Sequence, residues 1–250
     1  MTSNFLTQHI AAIRQRVYTV LGFLAVMFAI SFVFADILIA WFRRPLPTDL
    51  VFYGPAEALF AAIKVAFFAA ILCTLPMLIY QIWKFFEPAF LPHEKHSVLP
   101  YIAIATLLFM CGLAVCNILI LPLALGYLVA QGEKLNLLPA LAVGQYIDFN
   151  AKFLLVFGVA FELPLIMTML ARMGAISAKL LVQFRKHAIV VFFLLATIMT
   201  PTPDAFNLLL MAVPLILLYE VGIVSVRLWG QPRGVPPKTS PVKRIRRTVT

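Results

Sequence analysis

Long runs of apolar residues alternate with short charged segments along most of this chain. A helix needs about 20 apolar residues to cross a bilayer, so runs of this length predict transmembrane helices. The pattern gives six spans, at about residues 17–39, 58–83, 99–128, 153–171, 188–199 and 206–226. We therefore predict an all-α, polytopic membrane protein with a single six-helix domain over residues 1–228.

Prolines occur inside several of the predicted spans, at Pro76, Pro122, Pro164 and Pro214. Proline removes a backbone N–H donor and bends the helix that contains it. Since proline is common in membrane helices, any single one carries little weight. Together they favour a curved, concave bundle over straight parallel helices.

The fifth predicted span is unusually short. The uncharged run at residues 188–199 has 12 residues, which makes about 18 Å of helix against a hydrocarbon core of about 30 Å. The bilayer must thin there, or partner helices must cover the mismatch. The hairpin of the fifth and sixth spans is therefore a candidate surface for partner helices, and thinning of the bilayer there stays open.

Composition and charge agree with a membrane protein and indicate its orientation. Of the 250 residues, 63% are hydrophobic and 12% charged, whereas soluble domains have about 25% charged residues. The net charge of +10 lies mainly between spans, where it indicates topology rather than nucleic-acid binding. Fifteen of the 20 Lys and Arg residues lie on the side of the termini, so the positive-inside rule places both termini in the cytoplasm.

The basic segment at residues 229–250 has no apolar periodicity and is rich in Pro and Gly at its start. We expect it to be a disordered cytoplasmic tail that rests on anionic lipid.

Enzyme motifs are missing from the sequence. It has no G-x-x-x-x-G-K-[ST] phosphate loop, no H-E-x-x-H pair and no G-x-S-x-G turn. Cys73, Cys111 and Cys116 lie in apolar runs without a CxxC pattern, and we expect them to be buried packing residues. The histidines lie at predicted helix ends without the spacing of a metal site. We predict no enzyme activity, metal or cofactor.

Glu162 is the only carboxylate deep inside a predicted span. An ionisable group at that depth costs several kcal/mol and usually faces a cavity or a partner. A protonated Glu162 that hydrogen-bonds to a neighbouring helix is the structural alternative.

The second predicted cytoplasmic loop, residues 84–96, combines acidic and aromatic residues on a side that is otherwise basic. Glu87 and Glu94 occur among bulky phenylalanines, including Phe85 and Phe90. Such a surface suits a cationic peptide that also carries apolar residues. A solvated loop with local Glu–Lys pairs remains open on composition alone.

Several ordered motifs resemble those of TatC, the multispanning component of the twin-arginine protein translocase. The similarity extends to about residue 228. Its most specific pieces are Y-Q-I-W-K-F at 80–85, E-P-A-F at 87–90, P-A-E at 55–57, F-E-L-P at 161–164 and T-P-T-P-D at 200–204.

This resemblance implies a receptor for twin-arginine signal peptides that exports folded proteins across the cytoplasmic membrane, driven by the proton gradient. It implies single-span partners of the TatA and TatB types and self-association in the lipid bilayer. It implies neither covalent chemistry nor nucleic-acid binding.

The resemblance and the loop composition together give four groups of candidate site residues. Signal-peptide binding is predicted for Glu94, Phe85, Glu87, Phe90, Arg14 and Arg16. Glu162 is the buried intramembrane group, and the outer-loop residues are Pro45, Glu57 and Asp204. Partner docking is predicted for Met199, Thr200, Asn207 and Leu208.

The chain departs from the family pattern at three places, the mildest being Lys95-His96 as the basic pair after the loop glutamate. Ala12 stands where the family usually has an acid, and Asn207-Leu208 stands where it often has a polar pair ending in Gln.

The sequence leaves two other classes of protein open. A secondary transporter or channel for small solutes would show inverted repeats and broken helices. An intramembrane enzyme would need a second deep carboxylate, and the sequence offers only one.

Overall fold

The computed structural model describes residues 2–44, 50–51, 53–86, 98–134, 141–200 and 204–230. Its first helices are α1 (Thr2–Val33), α2 (Ala35–Phe42), α3 (Pro55–Phe86), α4 (Val98–Val115) and α5 (Leu121–Lys134). The chain continues with α6 (Val143–Phe161), α7 (Leu163–Arg172), α8 (Ala178–Gln183), α9 (Arg185–Met199) and α10 (Ala205–Trp229). Two short strands, β1 (Leu50–Val51) and β2 (Leu141–Ala142), lie in the connecting segments.

The predicted helical membrane fold is confirmed. Within the described residues, five helical stretches are long and apolar enough to cross a bilayer: Arg14–Val33, Ala56–Gln81, Pro100–Lys134, Val143–Arg172 and Ala205–Trp229. The predicted fifth span corresponds to α9, which has 15 residues and is about 22 Å long. In the described residues, five of the six predicted spans therefore have full length, and the predicted fifth span, α9, is shorter than a bilayer core is thick.

The first predicted span is not one continuous helix. A turn at Phe34 separates α1 from α2. The division places Asp36 in the first turn of α2, where a carboxylate is favoured by the helix dipole.

The fourth predicted span, residues 153–171, was too short. The helix begins at Val143, ten residues earlier. The sequence pattern missed this extension because Asp148 is charged and Asn150 polar, but in the fold Asp148 pairs with Lys64 of α3 at 2.7 Å and Asn150 is buried. Glu162 is the twentieth of the 30 residues of the span Val143–Arg172, so it lies about five residues from the middle rather than at the exact centre.

A π-helical turn, Cys116–Ile120, joins α4 to α5. It ends two residues before Pro122, whose missing N–H deprives the carbonyl of Ile118 of its α-helical donor. A wider turn at such a site accommodates the extra carbonyl without ending the helix. The third span consequently runs unbroken over Pro100–Lys134, longer than predicted.

The bundle is organised around α3, α6 and α10. α1 packs against α3, α3 against α6, and α6 against α4. α10 packs against α7 and α9. The main buried cluster includes Val65 of α3, Phe153 and Phe157 of α6, and Met211 and Leu215 of α10.

Much of the apolar surface faces outward, as expected of a protein whose solvent is lipid. Cys73 and Cys111 lie on such exposed faces, and of the three cysteines only Cys116 is buried. The expectation that all three are buried was wrong, because an apolar run in a membrane helix need not face the protein interior.

Two glycines allow α4 and α6 to approach closely. A Cβ atom added to Gly158 would lie 2.4 Å from Cε2 of Phe109, and one added to Gly112 would lie 2.7 Å from the carbonyl oxygen of Phe157. Phe109 is itself fully buried, so its ring has little room to move.

We predict that Gly158→Ala destabilises the protein by about 1–3 kcal/mol, the usual cost of overpacking a well-packed core. Thermal unfolding of the purified variant measures this. Gly126→Ala is the matched control, because Gly126 is also helical and has no atom within 4 Å of an added Cβ. Equal melting temperatures for the two variants would contradict the prediction.

The connection before α3 and the connection before α6 meet in a small parallel pair, with Leu50 opposite Leu141 and Val51 opposite Ala142. The sequence pattern did not predict these strands. Their pairing brings the segment before α3 to the segment before α6.

Candidate functional site

The bundle has two polar ends. We call the end at which α3, α7 and α10 finish the inner end, and the opposite end, with the paired strands, the outer end. Candidate residues lie at both ends and at one buried position between them.

The basic pair of α1 lies at the inner end. Arg14 is exposed, whereas Arg16 is half-buried and donates a hydrogen bond from Nη1 to the carbonyl oxygen of Gln81, at 3.3 Å. Gln81 belongs to the last turns of α3, from which the second loop departs. This contact places the basic pair beside the base of that loop.

Of the other signal-peptide candidates, Phe85 lies in the last turn of α3. Glu87, Phe90 and Glu94 lie outside the described residues. Their placement therefore stays a prediction from sequence.

Glu220, in the second half of α10, is a further acid near the inner end, and its carboxylate is paired within the chain. Its Oε2 accepts a hydrogen bond from Nη2 of Arg185 at 2.6 Å. The neighbouring Tyr219 donates its hydroxyl to the carbonyl oxygen of Leu181 at 2.9 Å. These two contacts join α10 to α8 and α9, so Glu220 has a structural partner inside the chain.

Glu162 lies at the break between α6 and α7. Pro164 follows it at the start of α7 and has no N–H to offer the carbonyl of Ala160. The break turns the Glu162 side chain into the bundle, where the residue is only 6% exposed.

Within the described part of the chain, Oε1 of Glu162 is buried and has no hydrogen-bond partner. A buried carboxyl oxygen without a partner is costly. The local fold therefore maintains a polar group at membrane depth that the protein itself leaves incompletely satisfied.

Glu57 fixes the outer end. Its Oε2 accepts a hydrogen bond from the backbone N–H of Tyr53 at 2.7 Å, and its Oε1 accepts one from the N–H of Gly144 at 3.2 Å. One carboxylate thus joins the turn before α3 to the first turn of α6, next to the paired strands. Pro45, the other predicted residue of this loop, lies outside the described residues.

Two contacts that the sequence analysis missed support the same end. Nζ of Lys64 contacts Oδ2 of Asp148 at 2.7 Å, and the hydroxyl of Tyr146 donates to the carbonyl oxygen of Phe42 at 2.5 Å. The available signal was a single Lys early in an apolar run and a single Asp at a predicted loop edge. Nothing local in the sequence pairs them, because they are 84 residues apart.

Asp204 begins α10. Its Oδ1 accepts a hydrogen bond from the N–H of Asn207 at 2.8 Å, which is a helix N-cap, and its Oδ2 accepts one from Nδ2 of Asn207 at 3.0 Å. Asn207 is fully buried, at 0% exposed. Its side chain is therefore part of the cap rather than of an outer surface.

The remaining docking candidates divide between the interior and the surface. Thr200 is buried and donates its hydroxyl to the carbonyl oxygen of Ala196 at 2.8 Å. Met199 and Leu208 are half-buried, with Ile198 beside them 72% exposed. A partner could reach Met199, Leu208 and Ile198 without any rearrangement of the hairpin.

Together, the fold and the site define a polytopic helical membrane protein with a basic inner end, a hydrogen-bonded outer end and, among the described residues, one buried carboxyl group. The described residues contain no cluster of His, Cys, Asp and Glu that could hold a metal ion.

Comparison with known proteins gives the family. Residues 8–214 match the family model described as Sec-independent protein translocase protein (TatC). The protein of that name from Aquifex aeolicus (strain VF5) is 36% identical over 225 residues, which is 87% of this chain and 92% of the relative. The one from Campylobacter jejuni subsp. jejuni is 33% identical over 229 residues, which is 89% of this chain and 93% of the relative.

Two solved structures agree with this match. One described as the twin arginine translocase receptor TatC has a TM-score of 0.79 and 35% identity, and covers 89% of this chain and 100% of its own. A second, of the same receptor in DDM, has a TM-score of 0.80 and 34% identity, and covers 86% and 98%. The chain therefore belongs to the TatC family.

Membership decides between the classes that the sequence left open. The TatC family consists of protein translocase components and is not a family of enzymes. The chain is accordingly a multi-pass membrane component of a twin-arginine protein translocase, and the small-solute transporter and intramembrane enzyme hypotheses no longer apply.

Proposed function

We propose that this chain is the receptor subunit that binds twin-arginine signal peptides at its inner end and hands folded precursors to single-span partners of the TatA and TatB types. Transport is driven by the proton gradient. The inner end faces the cytoplasm, and the membrane is the cytoplasmic membrane.

The observation that carries this proposal is the contact between Arg16 and Gln81, which joins the N-terminal basic pair to the base of the acidic, aromatic loop. Because like charges repel, Arg14 and Arg16 do not bind the peptide's arginines directly. Their part is to position the loop, while Glu94 and Glu87 supply the carboxylates. Phe85 and Phe90 supply an apolar surface for the residues that flank the arginines.

The pairing of Glu220 with Arg185 supports the same assignment. A guanidinium needs a carboxylate for a paired, charge-assisted contact. With Glu220 engaged, the acids of the second loop are the inner-end carboxylates left for the signal peptide.

The proposed function is tested by copurification. The purified chain, in detergent, should retain a precursor whose signal peptide contains Arg-Arg and release the same precursor with Lys-Lys. Equal retention of both precursors would sink the receptor assignment.

Orientation gives a separate prediction. In a variant without the three native cysteines, we expect Thr48→Cys to react with a membrane-impermeant thiol reagent in intact cells and Ser240→Cys to stay unlabelled. The reason is the excess of basic residues on the side of the termini. Labelling of Ser240→Cys in intact cells would reverse the orientation.

Partner docking gives another prediction. A photo-crosslinker at Ile198 or Leu208 should capture a single-span partner. The reason is that α9 has only 15 residues and is shorter than the hydrocarbon core of the bilayer is thick, so a partner helix would cover the mismatch. Val33, near the end of α1, is a matched control, at 77% exposed against 72% for Ile198. Capture from Val33 alone would move the docking surface to the first helix.

A further inference from the structure

A cleft of about 480 Å³ opens between α4, α7 and α10 at the inner end. This volume lies within the range of roughly 300–1,000 Å³ that is usual for small-molecule sites. α7 packs mainly against α10, while α4 packs mainly against α6. At the break at Glu162 the chain turns away from α4, which packs on α6. A space therefore stays open between α4 and α7.

The walls of the cleft are apolar over most of their depth. Ile104 and Leu108 of α4 face Leu165 of α7 across it. From Tyr101, at the mouth, to Leu108 the helix rises about 10 Å. Among the described residues of the wall, Thr168 and Ser225 carry hydroxyl groups, and these two hydroxyls are hydrogen-bonded to each other at 2.6 Å. The cleft therefore offers little to a polar ligand at this depth.

The mouth of the cleft carries a fixed positive charge. Arg172 donates Nε to the carbonyl oxygen of Trp229 at 2.9 Å and Nη1 to the hydroxyl of Tyr101. Its guanidinium also lies 5.6 Å from the centre of the Tyr101 ring. In the described part of the chain Arg172 contacts no carboxylate. Since a guanidinium has five N–H donors, donors remain for an anion.

The residues at the mouth are those that mark a membrane surface. Trp and Tyr concentrate at the level of lipid headgroups, and Arg binds phosphate through paired hydrogen bonds. A ligand that fits both mouth and walls has one anionic group and an apolar chain. A twin-arginine segment does not fit the mouth, because Arg172 repels it.

We propose that this cleft binds an anionic phospholipid of the inner leaflet, with its phosphate at Arg172 and one acyl chain along Ile104, Leu108 and Leu165. This inference rests on the proposed function only for the orientation that places the inner end in the cytoplasm. Peptide recognition at Glu94 and lipid binding at Arg172 are measured separately, so the failure of either leaves the other testable.

The test uses native mass spectrometry of the full chain purified in detergent with equal amounts of phosphatidylglycerol and phosphatidylcholine. We expect the wild type to retain phosphatidylglycerol preferentially and Arg172→Gln to lower that preference about fivefold, the effect of one basic residue at a lipid surface. Lys179→Gln is the matched control, because Lys179 is an exposed basic residue of the nearby α8. It should keep the wild-type preference.

A second variant tests the acyl-chain part without touching the charge. Ile104 is partly exposed at the cleft, so Ile104→Trp should fill the space and reduce the amount of bound lipid without unfolding the helix. An equal loss of preference in Arg172→Gln and Lys179→Gln would overturn the proposal. So would an Ile104→Trp variant that retains lipid normally but no longer binds the signal peptide, since the cleft would then belong to the peptide.

Discussion

Replacing Glu94 with Gln is expected to weaken binding of a twin-arginine signal peptide by about ten- to a hundredfold. A charge-assisted hydrogen bond is worth about 1.5–3 kcal/mol, and Gln removes the charge while keeping the size of the side chain. Phe90 lies four residues earlier, so in a helical turn the two would share a face. The peptide's arginines and the apolar residue that follows them would then meet adjacent groups.

The measurement is a titration of labelled Arg-Arg and Lys-Lys peptides onto purified wild type and Glu94→Gln. Glu220→Gln is the matched control, because it removes a carboxylate from the same end that is already paired with Arg185. We expect this control to keep the wild-type preference for Arg-Arg, since its carboxylate binds Arg185 rather than the peptide. Losing a half-exposed ion pair lowers the stability of the protein by only about 0–1 kcal/mol. If Glu94→Gln prefers Arg-Arg by the wild-type margin, Glu94 does not discriminate.

The apolar pattern was sufficient for the class of fold because only helices and closed β-barrels satisfy their backbone hydrogen bonds in lipid, and uninterrupted apolar runs of about 20 residues are those of helices. It therefore located each long helix, and it identified α9 as too short to cross a standard bilayer. It misjudged the end of a helix where a charged residue has its ion-pair partner on a helix distant in sequence. The start of α6 is the clearest case, because the charge of Asp148 is compensated by Lys64 on a helix far away in sequence.

The candidate sites show the same division between local and long-range information. The deep carboxylate and the acidic, aromatic loop are visible as unusual residues in their sequence surroundings. The burial of Thr200 and Asn207 is not, because it depends on how α9 and α10 meet. The role of Glu57 as a clamp was also invisible, since its acceptor capacity is taken up by backbone groups of two separate segments.

For Arg172, the proposed role depends on the fold alone. In the sequence it counts as one of the basic residues that set topology, and nothing distinguishes it from Lys179. The fold separates the two, because Arg172 is held by the ends of α4 and α10 while Lys179 stays exposed.

Glu162→Ala is expected to abolish most transport and to lower stability by about 2 kcal/mol or more, whereas Glu162→Gln should be mild. Truncating a buried side chain leaves a cavity, which costs about 2–5 kcal/mol for residues of this size. Gln fills the same space and keeps a polar group at the break between α6 and α7. An ionised carboxylate at this depth would carry a large desolvation cost, so the neutral, protonated form is the one that Gln imitates.

Transport of a folded reporter and thermal unfolding are measured on the same variants. Val159→Ala is the matched control, because Val159 lies one turn earlier on α6 and is exposed rather than buried. It should leave both readouts close to wild type. A Glu162→Gln variant that assembles and unfolds like wild type but cannot transport would contradict the prediction, and it would assign the function of Glu162 to its negative charge or its proton rather than to its shape.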